Sequence, residues 1–350
     1  MNPDVKRFGH GTKFISVMDI LNNQFIYYDD IRASVEVIDG DLETYGVNYG
    51  DILFQRSSET LEDVGQANVY LDSKPVVFGG FVIRGKSKGN YNPLFFRYLL
   101  ASPAVRKRII TKGAGAQHFN IGQDGLSKVC VDIPCKQEQE KIAKLLSLLD
   151  ERMATQSKII EDLKKLKSAI RKKVFVSLKG EYTECYEIHQ LLTYEQPTAY
   201  IVANDEYSTD TNLIPVLTAN KGFVLGYTNE DFGIYQKGEC IIFDDFTMDA
   251  KYVAFPFKVK SSAIKILTAK PNVNLRFMFE YLSYLELKSE EHKRHYISEI
   301  ASLVVELPSK EMQDQITSLM TLLGNKLALE EKAKVRYENK KQYLLSQMFI

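Results

Sequence analysis

Several marks of whole protein classes are absent from this chain of 350 residues. No apolar run approaches the roughly 18 residues that a membrane-spanning helix needs. The amino-terminal stretch MNPDVKRFGH lacks the apolar core of a secretory signal. The four cysteines, Cys130, Cys135, Cys185 and Cys240, form no CxxC pair and have no histidine at ligand spacing. We therefore expect a cytoplasmic protein with reduced thiols and no membrane partner.

Motifs of the common catalytic classes are also missing. The chain has no GKS/T phosphate loop, and Asn92-Pro93-Leu94-Phe95 lacks the second proline of a methyltransferase turn. Carboxylates and lysines do not cluster as a nuclease requires. His292 and His295 have metal-like spacing, but Lys293 and Arg294 lie between them and would repel a cation. The sequence thus predicts no catalytic residue, no cofactor and no metal.

Charge balances in total but not along the chain. The 45 basic residues equal the 45 acidic ones, which argues against a simple basic nucleic-acid binder. Residues 29–63 hold ten acidic and two basic side chains, whereas residues 97–128 hold six basic and one acidic. Residues 184–245 hold eleven acidic and two basic, and residues 251–276 hold six basic and none acidic. This repeated order indicates a basic face on each half that could neutralise phosphates, or else scattered solvated charges.

The stretch 137–175 predicts one long helix. It contains no glycine or proline, and its apolar residues recur at steps of three, four or seven, which is typical of a coiled-coil seam. At 1.5 Å per residue such a helix would be roughly 58 Å long. A helix of that length needs a partner, and a second stretch, 311–350, has the same pattern. The predicted seam residues are Ile142, Leu145, Leu149, Met153, Ile160, Leu163 and Ile170 in the first helix and Ile316, Leu319, Leu323, Leu327, Tyr337 and Leu344 in the second.

A constant shift in residue number, 174, relates the two helices. Ile142 maps on Ile316, Leu149 on Leu323, and the flanking Val131-Asp132-Ile133-Pro134 on Val305-Glu306-Leu307-Pro308. A shift that holds over more than forty residues indicates an internal duplication and two helices that pack on each other.

The remaining sequence forms two globular segments, 1–136 and 179–310. Strand-like stretches occur at 13–18, 50–54, 76–78, 80–84 and 129–133, with a helix at 93–102. The second segment repeats this order with drifting offsets, because loops vary while packed helices keep their register. It has about 33 residues, 179–211, before the strand at 213–217, and the first segment has only about a dozen before Phe14. We expect an opening element in the second segment that has no full equivalent in the first.

These features resemble the specificity subunit of type I restriction–modification systems. Ile133-Pro134, then Glu138-Gln139 and Ile142-Ala143, look like the family's entry into its conserved helix. The second entry, Leu307-Pro308 followed by Met312-Gln313, has methionine in place of glutamate. The order of strand-rich unit, long helix, strand-rich unit and long helix carries the resemblance over nearly the whole chain.

The resemblance implies an α+β protein with two target-recognition domains separated by a long antiparallel two-helix coiled coil and related by a pseudo-twofold repeat. The implied boundaries are 1–136 for the first domain, 137–178 for the first helix, 179–310 for the second domain and 311–350 for the second helix. Each domain would read half of a split double-stranded DNA target. The helices would bind modification (methyltransferase) subunits and, through them, the restriction subunit.

Polar and basic loop residues are the candidates for DNA contact, because such side chains read base edges or hold phosphates. They are Arg56, Ser57, Lys112, Gln117, His118 and Asn120 in the first segment and Lys251, Lys293, Arg294, His295 and Tyr296 in the second. A solvated or turn-stabilising role is an equal alternative for each. Two other functions stay open: a coiled-coil adaptor that binds proteins through two related domains, and an enzyme with an unrecognised site.

Overall fold

The computed structural model describes residue 1 and residues 4–178, 184–218, 222–287 and 296–349, without the side chains of residues 297 and 298. The chain divides into two compact units. Unit 1 comprises Met1–Lys158 and Lys332–Ile350, and unit 2 comprises Ile159–Glu331. Each long helix therefore contributes one half to each unit.

Unit 1 is built from short strands and helices around an apolar core. Its strands are β1 (Phe8–Ile15), β2 (Ser34–Val35), β3 (Gly46–Val47), β4 (Ile52–Gln55), β5 (Ser57–Ser58), β6 (Ala67–Val69), β7 (Val76–Phe78), β8 (Val82–Gly85) and β9 (Phe119–Asn120). They form sheets in the orders β2-β1-β7-β3, β6-β4-β8 and β5-β9. Its helices are α1 (Val17–Asn22), α2 (Asp41–Tyr45), α3 (Pro93–Ala101), α4 (Pro103–Ile110), α5 (Gln123–Ser127) and the first part of α6 (Lys136–Ser177).

Unit 2 repeats the central part of this arrangement. Its strands are β10 (Glu184–Glu187), β11 (Leu192–Glu195), β12 (Ile214–Leu217), β13 (Val224–Thr228), β14 (Cys240–Asp244), β15 (Ala250–Val253), β16 (Lys258–Val259), β17 (Ile264–Ala269) and β18 (Val304–Leu307). Their sheet orders are β10-β18, β11-β17-β14-β15 and β13-β12-β16. Its helices are α7 (Ile188–Leu191), α8 (Leu275–Tyr284) and the first part of α9 (Lys310–Met348), with a 3₁₀ turn at Pro197–Tyr200.

The two predicted long helices are present as α6 and α9, with 42 and 39 residues. Their ends are part of the globular cores and not only of a helix pair. Ala143 and Leu146 of α6 pack with Leu345 of α9 in the core of unit 1. Ile316 and Met320 of α9 pack in the core of unit 2. Each domain core is therefore continuous with the helices that leave it.

The predicted seam needs a correction at the start of each helix. Leu145 and Leu319 are 44% and 42% exposed, whereas the next residues, Leu146 and Met320, are 0% and 1% exposed. The buried face is turned by one residue because this part of each helix packs on a broad domain surface rather than on a narrow two-helix seam. The other seam residues predicted are buried or half-buried.

One strand prediction in unit 1 was wrong in part, and another was wrong. The stretch 13–18 leaves the strand at Ile15, because the Ser16 backbone N–H and hydroxyl both donate to Asp19 and start helix α1. Residues 129–133 are not a strand. Their equivalent, β18, is a strand because it pairs with β10, and the described part of unit 1 has no strand in that place.

The internal repeat extends to matched hydrogen bonds. Asn92 caps α3 by accepting from the Phe95 N–H, and Asn274 caps α8 by accepting from the Phe277 N–H. A shift of 182 in residue number relates these two caps. The sheet pairs β4–β8 and β14–β17 are antiparallel in both units. In unit 2, β10, α7 and β11 precede β12.

Candidate nucleic-acid interface and helix–domain junctions

The candidate residues of unit 1 come together at one small two-stranded sheet. Strand β5 pairs with β9, which places Ser57 opposite Asn120. The Ser57 hydroxyl donates to the Asn120 amide oxygen, and the Ile121 N–H donates to the Arg56 carbonyl at 2.9 Å. The side chains of Arg56 and Asn120 are exposed. The geometry therefore presents polar groups of two distant sequence stretches on one edge.

The loop before β9 is fixed by a tight turn. A Cβ on Gly115 would collide with the His118 carbonyl oxygen, so only glycine fits there. Gln117 and His118 are fully on the outside of this turn, and Lys112 precedes it on the surface. A short, constrained turn with exposed amide, imidazole and ammonium groups can present donors and acceptors to base edges or phosphates.

The candidates of unit 2 are less well grouped. Lys251 is half-buried in β15, opposite Ile242 of β14. Lys293, Arg294 and His295 lie outside the described residues.

Tyr296 requires a correction, because it is 1% exposed and cannot reach a DNA surface from this position. Its ring packs on Tyr194 and Phe243, and its backbone N–H donates to Asp245 at 2.8 Å. Burial raises the pKa of its hydroxyl. In the repeat, Arg294-His295-Tyr296 matches Gln117-His118-Phe119, and an aromatic residue at the last position of both indicated an anchor rather than a polar contact.

Buried ion pairs hold unit 2 together, and the sequence did not reveal them. Lys258 and Lys265 are 0% and 1% exposed. The Lys258 ammonium pairs with Glu230 at 2.6 Å, and this hydrogen bond is the main reason that the pKa of Glu230 is lowered. Lys265 lies 3.3 Å from the Asp245 carboxylate, which also accepts from the Tyr296 N–H. The pairs fix the loops that follow the central strands.

A buried glutamine joins each domain to the start of its long helix. Gln139 accepts from the Asn92 N–H at 2.8 Å and donates to the Pro134 carbonyl at 2.9 Å. Gln313 accepts from the Asn274 N–H at 2.8 Å and donates to the Pro308 carbonyl at 2.9 Å. The same two bonds, in both units, lock the cap of the domain helix to the entry of the long helix. We call these two places the helix–domain junctions.

Each unit also has a buried carboxylate between its domain helix and a long helix, but the two carboxylates come from different elements. In unit 1, Asp150 of α6 accepts from the Tyr98 hydroxyl at 2.7 Å and pairs with Lys341 of α9 at 2.5 Å. In unit 2, Glu280 of α8 pairs with Arg171 at 2.7 Å and with Lys167 at 3.3 Å. Burial and the neighbouring Asp150 carboxylate raise the pKa of Tyr98.

The shifts in residue number show that the two carboxylates stand at positions that are not equivalent in the repeat. A shift of 174 relates Lys167 to Lys341, so both units have a lysine at this position. A shift of 182 relates Tyr98 to Glu280, and a shift of 174 relates Asp150 to Gly324. The carboxylate is therefore on the long helix in unit 1 and on the domain helix in unit 2. A Cβ on Gly324 would lie 3.7 Å from the Lys167 Nζ, which places this glycine where the acid of unit 1 stands. Sequence comparison alone could not pair these positions, because they follow different offsets.

Two further findings bound the chemistry of the described residues. Within ranges 4–178, 184–218, 222–287 and 296–349, no group of three or more His, Cys, Asp or Glu side chains is placed to bind a metal ion. None of the described helices combines the length and apolar content needed to cross a membrane.

The chain is similar to proteins of one family over most of its length. Residues 2–165 and 183–338 each match the type I restriction modification DNA specificity domain. The chain is 25% identical over 353 residues to the putative type I restriction enzyme MjaX specificity subunit of Methanocaldococcus jannaschii, covering 91% of this chain and 81% of that protein. It is 44% identical over 137 residues to the EcoR124I/EcoR124II specificity subunit of Escherichia coli, which is 37% of this chain and only 34% of that protein.

Solved structures share the fold. The S subunit of a type I restriction-modification system from M. genitalium superposes with a TM-score of 0.60 at 16% identity, covering 98% of this chain and 93% of that one. A chain of another type I R-M system, described for its complex assembly and conformational transition, gives a TM-score of 0.57 at 11% identity and covers 97% and 94%. Because two matched domains account for most of the 350 residues, this chain belongs to the type I restriction modification DNA specificity domain family.

Proposed function

We propose that this chain is the DNA-recognition subunit of a type I restriction–modification complex and is not itself catalytic. One observation carries the proposal: a member of the specificity-domain family has two related domains, each joined to a long helix by the same glutamine bonds. Each domain would read one half of a split double-stranded target.

The contacts within each unit support an antiparallel pairing of α6 and α9 as the spacer. In unit 1, Asp150 contacts Lys341 while Arg152, further along α6, contacts Tyr337, further back along α9. In unit 2, Lys164 pairs with Glu331 at 2.9 Å. Each step forward on one helix is thus a step backward on the other. We infer one antiparallel coiled coil, with a pseudo-twofold relation that follows from the constant shift between the two helices.

The domain boundaries that follow are those of the repeat. The first target-recognition domain is 1–136 and the second is 179–310, with helices at 137–178 and 311–350 between and after them. The helix–domain junctions lie at these boundaries, since Pro134 and Pro308 both accept a bond from the glutamine five residues later.

In unit 1 the constrained loop that leads into β9 supplies the base-reading side chains. Gln117, His118 and Asn120 are exposed on it, and Arg56 and Ser57 lie beside it. Amide and guanidinium groups match the donor and acceptor pattern of the major groove. Lys112, with Lys251 in unit 2, would hold phosphates, and the stretch 293–295 remains the candidate reader of unit 2.

The long helices offer two equivalent apolar patches to partner subunits. Leu145 and Leu148 are exposed on α6, and their counterparts in the repeat, Leu319 and Leu322, are exposed on α9. Exposed leucine pairs repeated by the internal symmetry fit two copies of one partner. We propose that these partners are the modification (methyltransferase) subunits, through which the restriction subunit joins.

The adaptor function is the second candidate, because the same exposed leucines would serve a protein that binds only other proteins. Selection of bound sites from a random DNA pool, with modification subunits present, separates the two. The proposal predicts a split consensus and an affinity that falls steeply with salt. A chain that assembles with its partners but enriches no sequence would support the adaptor.

A further inference from the structure

A polar pocket of about 560 Å³ lies in unit 2 between strand β15, the domain helix α8 and the long helix α9. Tyr252 of β15 and Arg276 of α8 form one side of it, and Thr317 and Thr321 of α9 form another. We call the space lined by these four residues the arginine pocket. All of its residues belong to unit 2.

The guanidinium of Arg276 is held in place but is not neutralised. Its Cζ lies 4.2 Å from the centre of the Tyr252 ring, and its Nη1 donates to the Thr321 hydroxyl at 3.2 Å. Other cations of unit 2 that are at least half-buried pair with a carboxylate, as Lys258 and Lys265 do. Arg276, also half-buried, forms no ion pair with the residues that the structure describes. A cation that is partly removed from water and has no counter-ion is suited to bind an anion.

Two hydroxyl groups of the pocket also have unused hydrogen-bonding capacity. The Thr317 hydroxyl is buried and has no partner in the described ranges of the chain. The Thr321 hydroxyl accepts from Arg276, and no described residue accepts its own hydrogen. Ser318, on the same helix, differs because its hydroxyl donates to the Asp314 carbonyl at 2.8 Å. Since buried polar groups nearly always have a partner, the pocket fits an occupant with acceptor oxygens.

The equivalent place in unit 1 is apolar. The equivalent residues are Leu94 for Arg276, Ala143 for Thr317 and Val69 for Tyr252. The first two pairs follow from the shifts of 182 and 174, and the third follows from the register of the strand pairs β4–β6 and β14–β15. Ala143 and Val69 are buried. The repeat therefore folds without these polar groups, which favours a binding role for them in unit 2.

The surface beside the pocket favours a protein side chain as the occupant. Leu322 lines the pocket and is 68% exposed, and Leu319 on the same helix is 42% exposed. Glu239 also lines the pocket, is exposed, and contacts the Tyr252 hydroxyl. Nucleic-acid phosphates are bound by surfaces with an excess of cations. A pocket with one cation and one carboxylate, opening beside leucines, is better matched by a single carboxylate on an apolar protein surface.

We propose that the arginine pocket receives an aspartate or glutamate side chain of the modification subunit that docks on the leucines of α9. The inference rests on the proposed function, which assigns those leucines to that partner. The carboxylate accepts from the Arg276 guanidinium and from the Thr321 hydroxyl. Apolar side chains on either side of it cover Leu319 and Leu322.

The two partner copies consequently bind with unequal strength. In unit 1 the residue equivalent to Ser318 is Lys144, which is exposed on α6. A partner carboxylate meets a solvated lysine there, and exposed ion pairs add little to affinity. In unit 2 the same carboxylate meets the half-buried Arg276, where a hydrogen-bonded charge pair adds more.

The test measures how the full chain assembles with the modification subunit. Native mass spectrometry over a concentration series gives the affinities of the first and the second copy. We expect Arg276→Gln to weaken one of the two copies at least about tenfold and to leave the other unchanged. Lys144→Gln is the matched variant in unit 1, and it should weaken the other copy by no more than about fivefold.

A variant with the opposite expected sign tests the charge of the occupant. Glu239→Gln removes a carboxylate that repels an anion, so it should tighten the copy that Arg276→Gln weakens. Thr321→Val keeps the shape of the side chain and removes the hydroxyl, and it should weaken the same copy even if Arg276→Gln fails to fold.

Three results would count against the inference. Binding of both copies by Arg276→Gln and Thr321→Val at wild-type affinity would overturn it. Equal weakening by Glu239→Gln and Arg276→Gln would also overturn it, because the occupant would then not be an anion. A wild-type chain that binds no modification subunit would overturn the proposed function together with this inference.

Discussion

Both units place a buried carboxylate between the domain helix and a long helix, but they do so with different elements. In unit 1 the acid, Asp150, is on the long helix and serves one lysine and one tyrosine hydroxyl. In unit 2 the acid, Glu280, is on the domain helix and serves Lys167 and Arg171. In both units a carboxylate lies beside the equivalent lysine, which is Lys341 in unit 1 and Lys167 in unit 2. Which element supplies it has changed between the two halves.

The difference changes which buried charges face one another in each unit. In unit 1 the Asp150 carboxylate faces one cation, Lys341. In unit 2 the Glu280 carboxylate faces two cations, Lys167 and Arg171. Removing one partner of a buried ion pair is strongly destabilising, because it leaves an uncompensated charge. The two units should therefore respond differently to substitution at equivalent positions.

The largest expected effect comes from Glu280→Tyr, which copies unit 1 at one position only. Lys167 and Arg171 would lose their carboxylate in a site where Glu280 is 3% exposed. We expect a loss of about 3 kcal/mol in the free energy of unfolding of unit 2. Chemical denaturation followed by the near-ultraviolet signal measures it.

Adding Gly324→Asp to Glu280→Tyr should restore at least about 1 kcal/mol, because the new carboxylate lies where Asp150 lies in unit 1. The matched control is Gly324→Asn, which changes helix propensity similarly but brings no charge. Equal recovery by aspartate and asparagine would contradict the claim that an acid at position 324 takes the role of Asp150.

A smaller and symmetrical effect is expected for the junction glutamines. Gln139→Ala and Gln313→Ala each remove two hydrogen bonds, one to a helix-cap N–H and one to a proline carbonyl. Each should cost about 1–3 kcal/mol, and the two costs should agree within about 1 kcal/mol. Thermal unfolding of the single variants checks this. Strongly unequal losses would break the equivalence of the junctions.

The units should also differ in their response to acid. The hydrogen bond from Lys258 lowers the pKa of Glu230, whereas the counterpart of Lys258 in unit 1 is Val77. A lowered folded-state pKa adds stability above the unfolded-state value, and that stability is lost as pH falls through the folded-state value. Wild type should exceed Glu230→Gln in stability at neutral pH, and the gap should close as pH falls below the ordinary glutamate pKa of about 4.3. A gap that does not depend on pH would refute this assignment.

The smallest effect is expected on the helix surface. Lys165 and Glu161 form an i,i+4 pair with both side chains about two-thirds exposed. Lys165→Ala should shift the denaturation midpoint less than any of the other variants, and high salt should remove the difference. Denaturant titration at two salt concentrations measures it, and a loss comparable to that of the junction variants would contradict the account.

The sequence was most informative where structure is periodic. Helices α6 and α9, and the shift that relates them, follow from apolar spacing, because a long helix must bury one face along its whole length. Residues 129–133 have strand composition but are not a strand, since strand formation depends on a pairing partner elsewhere in the chain.

Positions fixed by tertiary packing could not be predicted. Tyr296 resembled a loop aromatic and is a core side chain. Glu280 and Gly324 carry the most informative difference between the halves, yet their relation to Tyr98 and Asp150 requires two different offsets. The two-stranded sheet of Ser57 and Asn120 joins two stretches that are far apart in the chain, and no local sequence pattern indicates such a pairing.

The measurement that tests the central claim most directly is the preferred spacing between half-sites. Deleting 156–162 and 330–336 removes one heptad from each helix and shortens the helix pair by about 10.5 Å at 1.5 Å per residue. At about 3.4 Å per base pair, the preferred gap should shrink by roughly three base pairs, with unchanged half-site bases. A folded, partner-bound variant that still selects the original gap from a library of spacings would contradict the account.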